Sequence, residues 1–380
     1  MTLAYGVFRE GGRTRVGVRD GDELLDLAAL AVEGRLDGVP DAERVFSAAA
    51  LNPFMALGPS AWSACHEQVR ELLADAGVPR VPLVGAEALM PFGVADYVDF
   101  YSSLHHATNV GLMFRPEQEP LLPNWRHLPV GYHGRAGTVV PSGTPVPRPR
   151  GQRWVPGDDA PSYGPSRALD IELEAGFVVG VPSEHGTPVP IERALDHLFG
   201  MVLVNDWSAR DVQGWEYQPL GPFLAKSFAT SVSRWVVPLE ELETRRVPAD
   251  PQEPEPLPYL REEPWAYDIP LEVLLNGDVI ARSNARFLYW SIAQQVAHLT
   301  SGGASLRTGD LLATGTISGP EREQRGCLLE LSWNGQEPIE LPGGGTRAYL
   351  EDGDEVVLSG EPLHEVAGRV EPAGGTVDPA

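Results

Sequence analysis

Lys226 is the only lysine in a chain whose lysines and arginines together number 29. It lies in the apolar, tightly turning stretch Gly221-Pro222-Phe223-Leu224-Ala225-Lys226-Ser227-Phe228. An ammonium can shift its pKa and pass on a proton, whereas a guanidinium stays protonated, so this position fits proton transfer. A codon that merely escaped an arginine bias is the plain alternative, and the apolar flank argues against it. Three acidic segments accompany the lysine. In Ala168-Leu169-Asp170-Ile171-Glu172-Leu173-Glu174, strand alternation directs Asp170, Glu172 and Glu174 to one face and the leucines and Ile171 to the core. Like charges so placed need solvent or a cation, and a plain solvated strand face would read the same way. A second apolar run, Met201-Val202-Leu203-Val204-Asn205, delivers Asp206 at its exit, where Asp206 or Ser208 could equally cap a short helix. The third segment, Asp96-Tyr97-Val98-Asp99, leads into His105, His106 and Asn109.

Should these segments converge, an all-oxygen ligand set specifies a hard divalent cation, Mg²⁺ or Ca²⁺, because zinc would call for His or Cys in the set. Arg210, Gln213 and Tyr217 follow Asp206 at intervals that keep them close on a helical turn.

The elements that must hold these groups read as mainly β with some α. Residues 1–90 read as a separate unit with hairpin turns at Gly11-Gly12 and Asp20-Gly21 and a helix from about Ser60 to Ala76. Residues 91–380 read as a β-rich domain of the sandwich, roll or barrel type, without βαβ alternation. Asn276-Gly277 marks a hairpin, a helix is expected over 287–299 before Gly302-Gly303, and short strands over 311–314, 327–333 and 355–359. The proline-dense stretches 141–165 and 248–270 read as long surface loops. Gly343-Gly344-Gly345 has no following helix or lysine and is no phosphate loop.

The net charge of −24 opposes nucleic acid and anionic membranes as partners, so an anionic ligand would need locally concentrated positive charge. No apolar run is long enough to span a bilayer, and the first residues do not read as a secretory signal. Cys65 and Cys327 are too few for a disulfide framework, so a cytoplasmic location is expected.

Several long strings then occur in one order: Asp99-Phe100-Tyr101-Ser102-Ser103, His106-Ala107-Thr108-Asn109, Leu128-Pro129-Val130-Gly131-Tyr132-His133-Gly134-Arg135, the Asp170–Glu174 segment, Asn205-Asp206-Trp207-Ser208-Ala209-Arg210-Asp211, the Lys226 stretch, Gly315-Thr316-Ile317-Ser318-Gly319 and Leu328-Leu329-Glu330-Leu331-Ser332-Trp333. On these residues the chain resembles the fumarylacetoacetate hydrolase family, specifically its fumarylacetoacetase branch, over nearly all its length and most weakly before Asp96.

That resemblance implies a small SH3-like N-terminal β-barrel domain followed by a mixed β-sandwich roll, and a homodimer. It also implies hydrolysis of a carbon–carbon bond in a β-diketone acid, giving fumarate and acetoacetate at the end of tyrosine and phenylalanine breakdown. Carried over residue by residue, it makes Asp99, Glu172, Glu174 and Asp206 the metal carboxylates and leaves Asp170 outside that set. His106 matches the base and Glu330 the acid that orients it. Arg210, Gln213 and Lys226 match polar groups around the reacting carbonyls, and Tyr101, Arg115, Tyr132, Tyr217 and Thr316, with Gln213, match substrate contacts. Thr230 and the backbone near Lys226 match a second, structural ion site. Here the family usually has glycine where this chain has Ala229, which would strain the turn if φ must be positive. An acylpyruvate hydrolase or oxaloacetate decarboxylase is the nearest rival, but such chains tend to be shorter. A catalytically dead relative is opposed by the presence of His106, Glu330 and Lys226.

Overall fold

A computed structural model describes residues 2–155, 157 and 159–374. Its spine is a long mixed sheet whose neighbours run Val81–Pro82, Glu23–Asp26, Arg13–Asp20, Tyr5–Glu10, Trp235–Pro238, Leu198–Asp206, Leu173–Val179, Leu311–Ala313, Tyr97–Phe100 and Gly131–His133. A second sheet orders Asp278–Asn284, Pro270–Leu275, Glu355–Gly360, Leu363–Glu371 and Val146–Pro147. The protein is therefore mainly β with some α. Among the described residues no helix is long and apolar enough to cross a membrane.

The central strand Leu198–Asp206 is buried from end to end and divides two cores. Leu198, Met201 and Leu203 face the second sheet, joining Leu271, Val273, Leu358 and Val366. Phe199, Val202 and Val204 face the other way, toward Tyr5, Phe54, Trp62 and Val69 of the N-terminal segment. A strand covered on both faces loses hydrophobic alternation, which is why this run reads as continuous apolar sequence. The N-terminal hairpins are continuous with this sheet: Tyr5 and Gly6 pair antiparallel with Val236 and Trp235. A side chain at Gly6 would lie 2.4 Å from the Trp235 ring, so the glycine permits that crossing.

Several expectations meet the structure closely. The N-terminal helix runs Pro59–Ala74. Asn276 (φ 54°) and Gly277 (φ 87°) form the left-handed turn between Pro270–Leu275 and Asp278–Asn284. Others are corrected. The helix expected over 287–299 begins at Ile292, where Ser291 and Gln294 form a reciprocal capping box, and runs to Thr300. The segment 327–333 is no strand: Leu328–Leu331 forms one helical turn, all four residues buried. The proline-dense loops also carry short paired strands, Arg150–Arg153 with Ser162–Pro165 and Arg246–Pro248 with Trp265–Tyr267.

The expected common face of Asp170, Glu172 and Glu174 is corrected too. The chain leaves the ladder at Ile171 and Glu172, so alternation does not carry across it. Leu169–Asp170 pairs instead with Ser208–Ala209, and Asp170 is turned away from the other two acids.

Candidate active site

Three strands of the long sheet deliver three carboxylates to one place, two of them adjacent and the third beyond Leu311–Ala313. Asp99 lies in Tyr97–Phe100, Glu174 in Leu173–Val179 and Asp206 at the end of Leu198–Asp206. Glu172 joins them from the position just before the strand Leu173–Val179. Ligand oxygens of these four buried acids all lie within 4.8 Å of one another. Asp99 Oδ1 and Glu174 Oε1 have no hydrogen-bond partner. Buried carboxylate oxygens without donors are costly, and a divalent cation in the cluster would satisfy both. The donor set is all oxygen, so the residues fit a hard ion.

The electrostatics agree. Burial, then the neighbouring Asp206 charge, pushes the Asp99 carboxyl up to about 8. Burial, with Asp99 next, raises Glu174 well above the usual carboxylate range, and burial raises Asp206 despite Lys226. Glu172 goes the other way. Burial opposes its charge, but Lys226 and Arg210 outweigh that and hold it below the usual range.

Lys226 is 6% exposed, although Phe223 and Leu224 of its apolar flank are themselves exposed. Its Nζ donates to Glu172 Oε2 at 2.5 Å and sits 3.2 Å from Asp206 Oδ2. Burial works to lower its pKa, but Glu172 and Asp206 outweigh it and raise the pKa, so the amine is held as an ammonium. Tyr132 Oη and Thr230 Oγ1 donate to Asp206 at 3.1 and 2.7 Å. Ala229 is not among the non-glycine residues with positive φ, so it imposes no left-handed strain on this turn.

Opposite the acids lies a second buried group. His106 sits on the helix Leu104–Phe114, which Ser103 caps through its side chain. The His106 Nδ1 is 2.6 Å from Glu330 Oε2. A carboxylate can only accept, so Nδ1 carries the hydrogen and Nε2 is left for the cavity. Asn109 donates to Glu330 Oε1 at 2.8 Å, and Ser318 and Cys327 donate to Oε2 at 2.7 and 3.2 Å. Burial alone would raise Glu330, but the facing His106 and these donors outweigh it and hold the carboxyl near 2. Asn109 lies three residues beyond His106, and that helical spacing is the sequence signal for its place beside Glu330. Nothing in the local pattern pointed to Ser318 or Cys327.

Both groups border one cavity of about 570 Å³, lined by Asp99, Tyr101, His106, Arg115, Tyr132, Glu172, Arg210, Gln213, Tyr217, Lys226 and Thr316, with Phe114, Leu121, Trp125 and Val130 on its apolar wall. Glu174, Asp206 and Glu330 stand behind this lining. The short helix Arg210–Glu216 carries Arg210 and Gln213, joined at 3.1 Å, and Tyr217 caps its end. Arg210 Nη1 is 2.8 Å from Glu172 Oε1, while its buried Nη2 has no partner. Thr316 Oγ1 and Arg115 Nε are likewise buried and unpartnered. The Tyr101 ring meets that of His106 edge-on, centroids 5.2 Å apart. Such a site can hold a cation, orient a base and present donors to a developing oxyanion.

Known proteins carry the same arrangement of sequence. The family model for the fumarylacetoacetate hydrolase C-terminal region matches residues 96–371, and that for the fumarylacetoacetase N-terminal region matches residues 2–95. Fumarylacetoacetase of Homo sapiens is 48% identical over 94% of this chain and 90% of its own length. That of Arabidopsis thaliana is 48% identical over 95% and 90%. Among solved structures, a fumarylacetoacetate hydrolase from Exiguobacterium antarcticum shares the fold at 17% identity and a TM-score of 0.59, over 98% of this chain and all of the other. A maleylpyruvate hydrolase from a Sphingobium species, solved with manganese(II) and pyruvate, does so at 18% identity and 0.55, over 98% and 100%. By sequence along nearly its whole length, this chain belongs to the fumarylacetoacetate hydrolase family.

Proposed function

We propose that the chain hydrolyses the carbon–carbon bond of 4-fumarylacetoacetate, releasing fumarate and acetoacetate. The observation that carries the mechanism is one cavity shared by the buried His106–Glu330 pair, the four-carboxylate cluster, and the cations Arg210 and Lys226. Asp99, Glu172, Glu174 and Asp206 would hold a divalent cation, which would supply Lewis-acid charge at this site.

The chain's own residues do the rest. His106 Nε2 takes a proton from the attacking water, and Glu330 fixes the tautomer and stabilises the imidazolium. Arg210, Gln213 and Lys226 donate to the oxyanion that forms at the attacked carbonyl. As the carbon–carbon bond breaks, Lys226 hands its proton to the departing carbanion. Arg115, Tyr101, Tyr132, Tyr217 and Thr316 hold the substrate's carboxylates and oxygens, concentrating donors inside a chain of net charge −24.

The oxygen-only ligand set favours Mg²⁺ or Ca²⁺ as the resident ion, although the maleylpyruvate hydrolase of the same fold was solved with manganese(II). A second, structural ion beside Thr230 and the Lys226 backbone belongs to the same reading. So do an SH3-like unit over residues 1–90 ahead of a catalytic roll over 91–380, and a cytoplasmic homodimer. Leu220, Phe223 and Leu224, exposed within five residues of one another, support the dimer as apolar surface that association would cover.

Purified protein supplied with Mg²⁺ or Ca²⁺ is expected to release fumarate from fumarylacetoacetate, followed by chromatography. No release in the metal-loaded sample overturns the assignment. Lys226→Arg keeps the charge and removes the transferable proton. Its kcat is expected to fall about 10²-fold, within the usual range for general acid–base groups. Near-full turnover in that variant would mean that Lys226 serves only as a charge.

A further inference from the structure

Asp170 lies outside the metal cluster, yet it is fully buried and saturated with donors. Its Oδ1 accepts from the backbone nitrogens of Ile171 and Leu328, each at 2.7 Å. Its Oδ2 accepts from Leu329 N at 3.0 Å and from Arg210 Nε at 2.8 Å. The two leucine amides open the helical turn Leu328–Leu331, where no earlier carbonyl of the helix can receive them. That turn carries Glu330, which holds His106. Arg210, on the other side, leaves one buried Nη2 unpartnered on the cavity wall. One carboxylate therefore ties the arm that orients the base to the arm that offers a donor to the oxyanion.

We propose that Asp170 is a positioning residue that sets the separation between the His106–Glu330 pair and the Arg210 guanidinium, acting through both and touching no substrate. This rests on the hydrolase reading above. Its physical basis is that charge-assisted bonds to both arms are short and directional, and that an error of about 1 Å in a catalytic constellation costs roughly 10²-fold in rate. A neutral amide at this position can accept at only one of the two oxygen places: its NH₂ would face either Ile171 N and Leu328 N or Leu329 N and Arg210 Nε, all of them donors.

Asp170→Asn is expected to lower kcat about 10²-fold, with KM within threefold of wild type and divalent-ion stoichiometry unchanged. Without any substrate, hydrogen exchange in a peptide covering residues 328–331 is expected to speed up at least tenfold, while exchange over the strand 173–179 stays as in wild type. The exchange result stands even if the substrate has been misassigned, so failure of the linkage and failure of the hydrolase reading are told apart. Wild-type kcat, or a loss accompanied by loss of the ion, overturns the proposal, as does unchanged exchange at 328–331. If Asp170→Asn does not fold, Asp170→Glu, which keeps the charge but carries it one methylene further, is expected to show the same kcat loss at unchanged KM. Wild-type kcat in Asp170→Glu, or failure of both variants to fold, assigns the residue to the fold and overturns the positioning role.

Discussion

Replacing His106 with alanine is expected to lower kcat on fumarylacetoacetate by about 10²- to 10⁴-fold, the range over which a positioned general base contributes. The reason lies in the pairing of the imidazole. Its Nδ1 is committed to Glu330, itself held by Asn109, Ser318 and Cys327, so only Nε2 can act on water in the cavity. Nothing else in the lining supplies an imidazole. Glu172 is tied to Lys226 and Arg210, and its basicity is low for that reason. The carboxylate cluster does not depend on His106, so the variant should bind the same amount of Mg²⁺ or Ca²⁺, measured by elemental analysis after gel filtration. A variant retaining turnover within tenfold of wild type would place the base elsewhere.

Removing the divalent ion with a chelator is expected to abolish turnover reversibly and to leave a protein with an altered dependence of stability on pH. In the ion-free folded chain Asp99 keeps its proton up to about 8, against 3.8 for an ordinary aspartate, and Glu174 and Asp206 are also raised. The folded state then binds more protons than the unfolded one across that window. Stability accordingly falls as pH rises through it, while the lowered Glu172 acts only below the ordinary carboxylate range, where its contribution is lost as pH falls. Ion binding demands ionised carboxylates, so it releases protons and tightens from pH 6 to pH 8. Calorimetric titration of the stripped protein in buffers of differing ionisation enthalpy measures that release. The expected result is at least one proton released per ion near pH 7, and a binding heat independent of the buffer would contradict it. Melting curves with and without Mg²⁺ should diverge most at the alkaline end.

Much of this site was legible from residues alone, for reasons that differ from one side chain to the next. Lys226 announced itself by its rarity and its apolar flank, and it is buried among acids. Strand alternation groups Glu172 and Glu174 with Asp170, but alternation holds only while the ladder continues; it lapses at Ile171 and Glu172, and of the three only Glu172 and Glu174 meet in the cluster. Glu330 could not be derived locally at all. It stands 224 residues from His106, and the Leu-Leu-Glu-Leu run around it is buried on every side, which erases the periodicity that separates a helical turn from a strand. The helix before Gly302 is legible in the sequence, but it starts at Ile292 rather than 287, because the capping signal lies at Ser291 inside the expected span. What set the directions of Asp170 and Glu330 was their partners across the fold.

The junction of Tyr5–Glu10 with Trp235–Pro238 bears on how the molecule is made. On a ribosome the opening strand emerges early, with Arg13–Asp20 beside it and the strand pair at Phe8 and Arg9 completed soon after by Glu87–Ala88. The backbone groups of Tyr5 and Gly6 must wait until Trp235 and Val236 have been synthesised. Until then the nascent chain carries an open strand edge, beside a glycine whose bare surface is reserved for an indole ring. Completion of the sheet is thereby tied to translation of the segment that follows Asp206 and Lys226, so the opening strand gains its last partner only after the carboxylate cluster has been fully encoded.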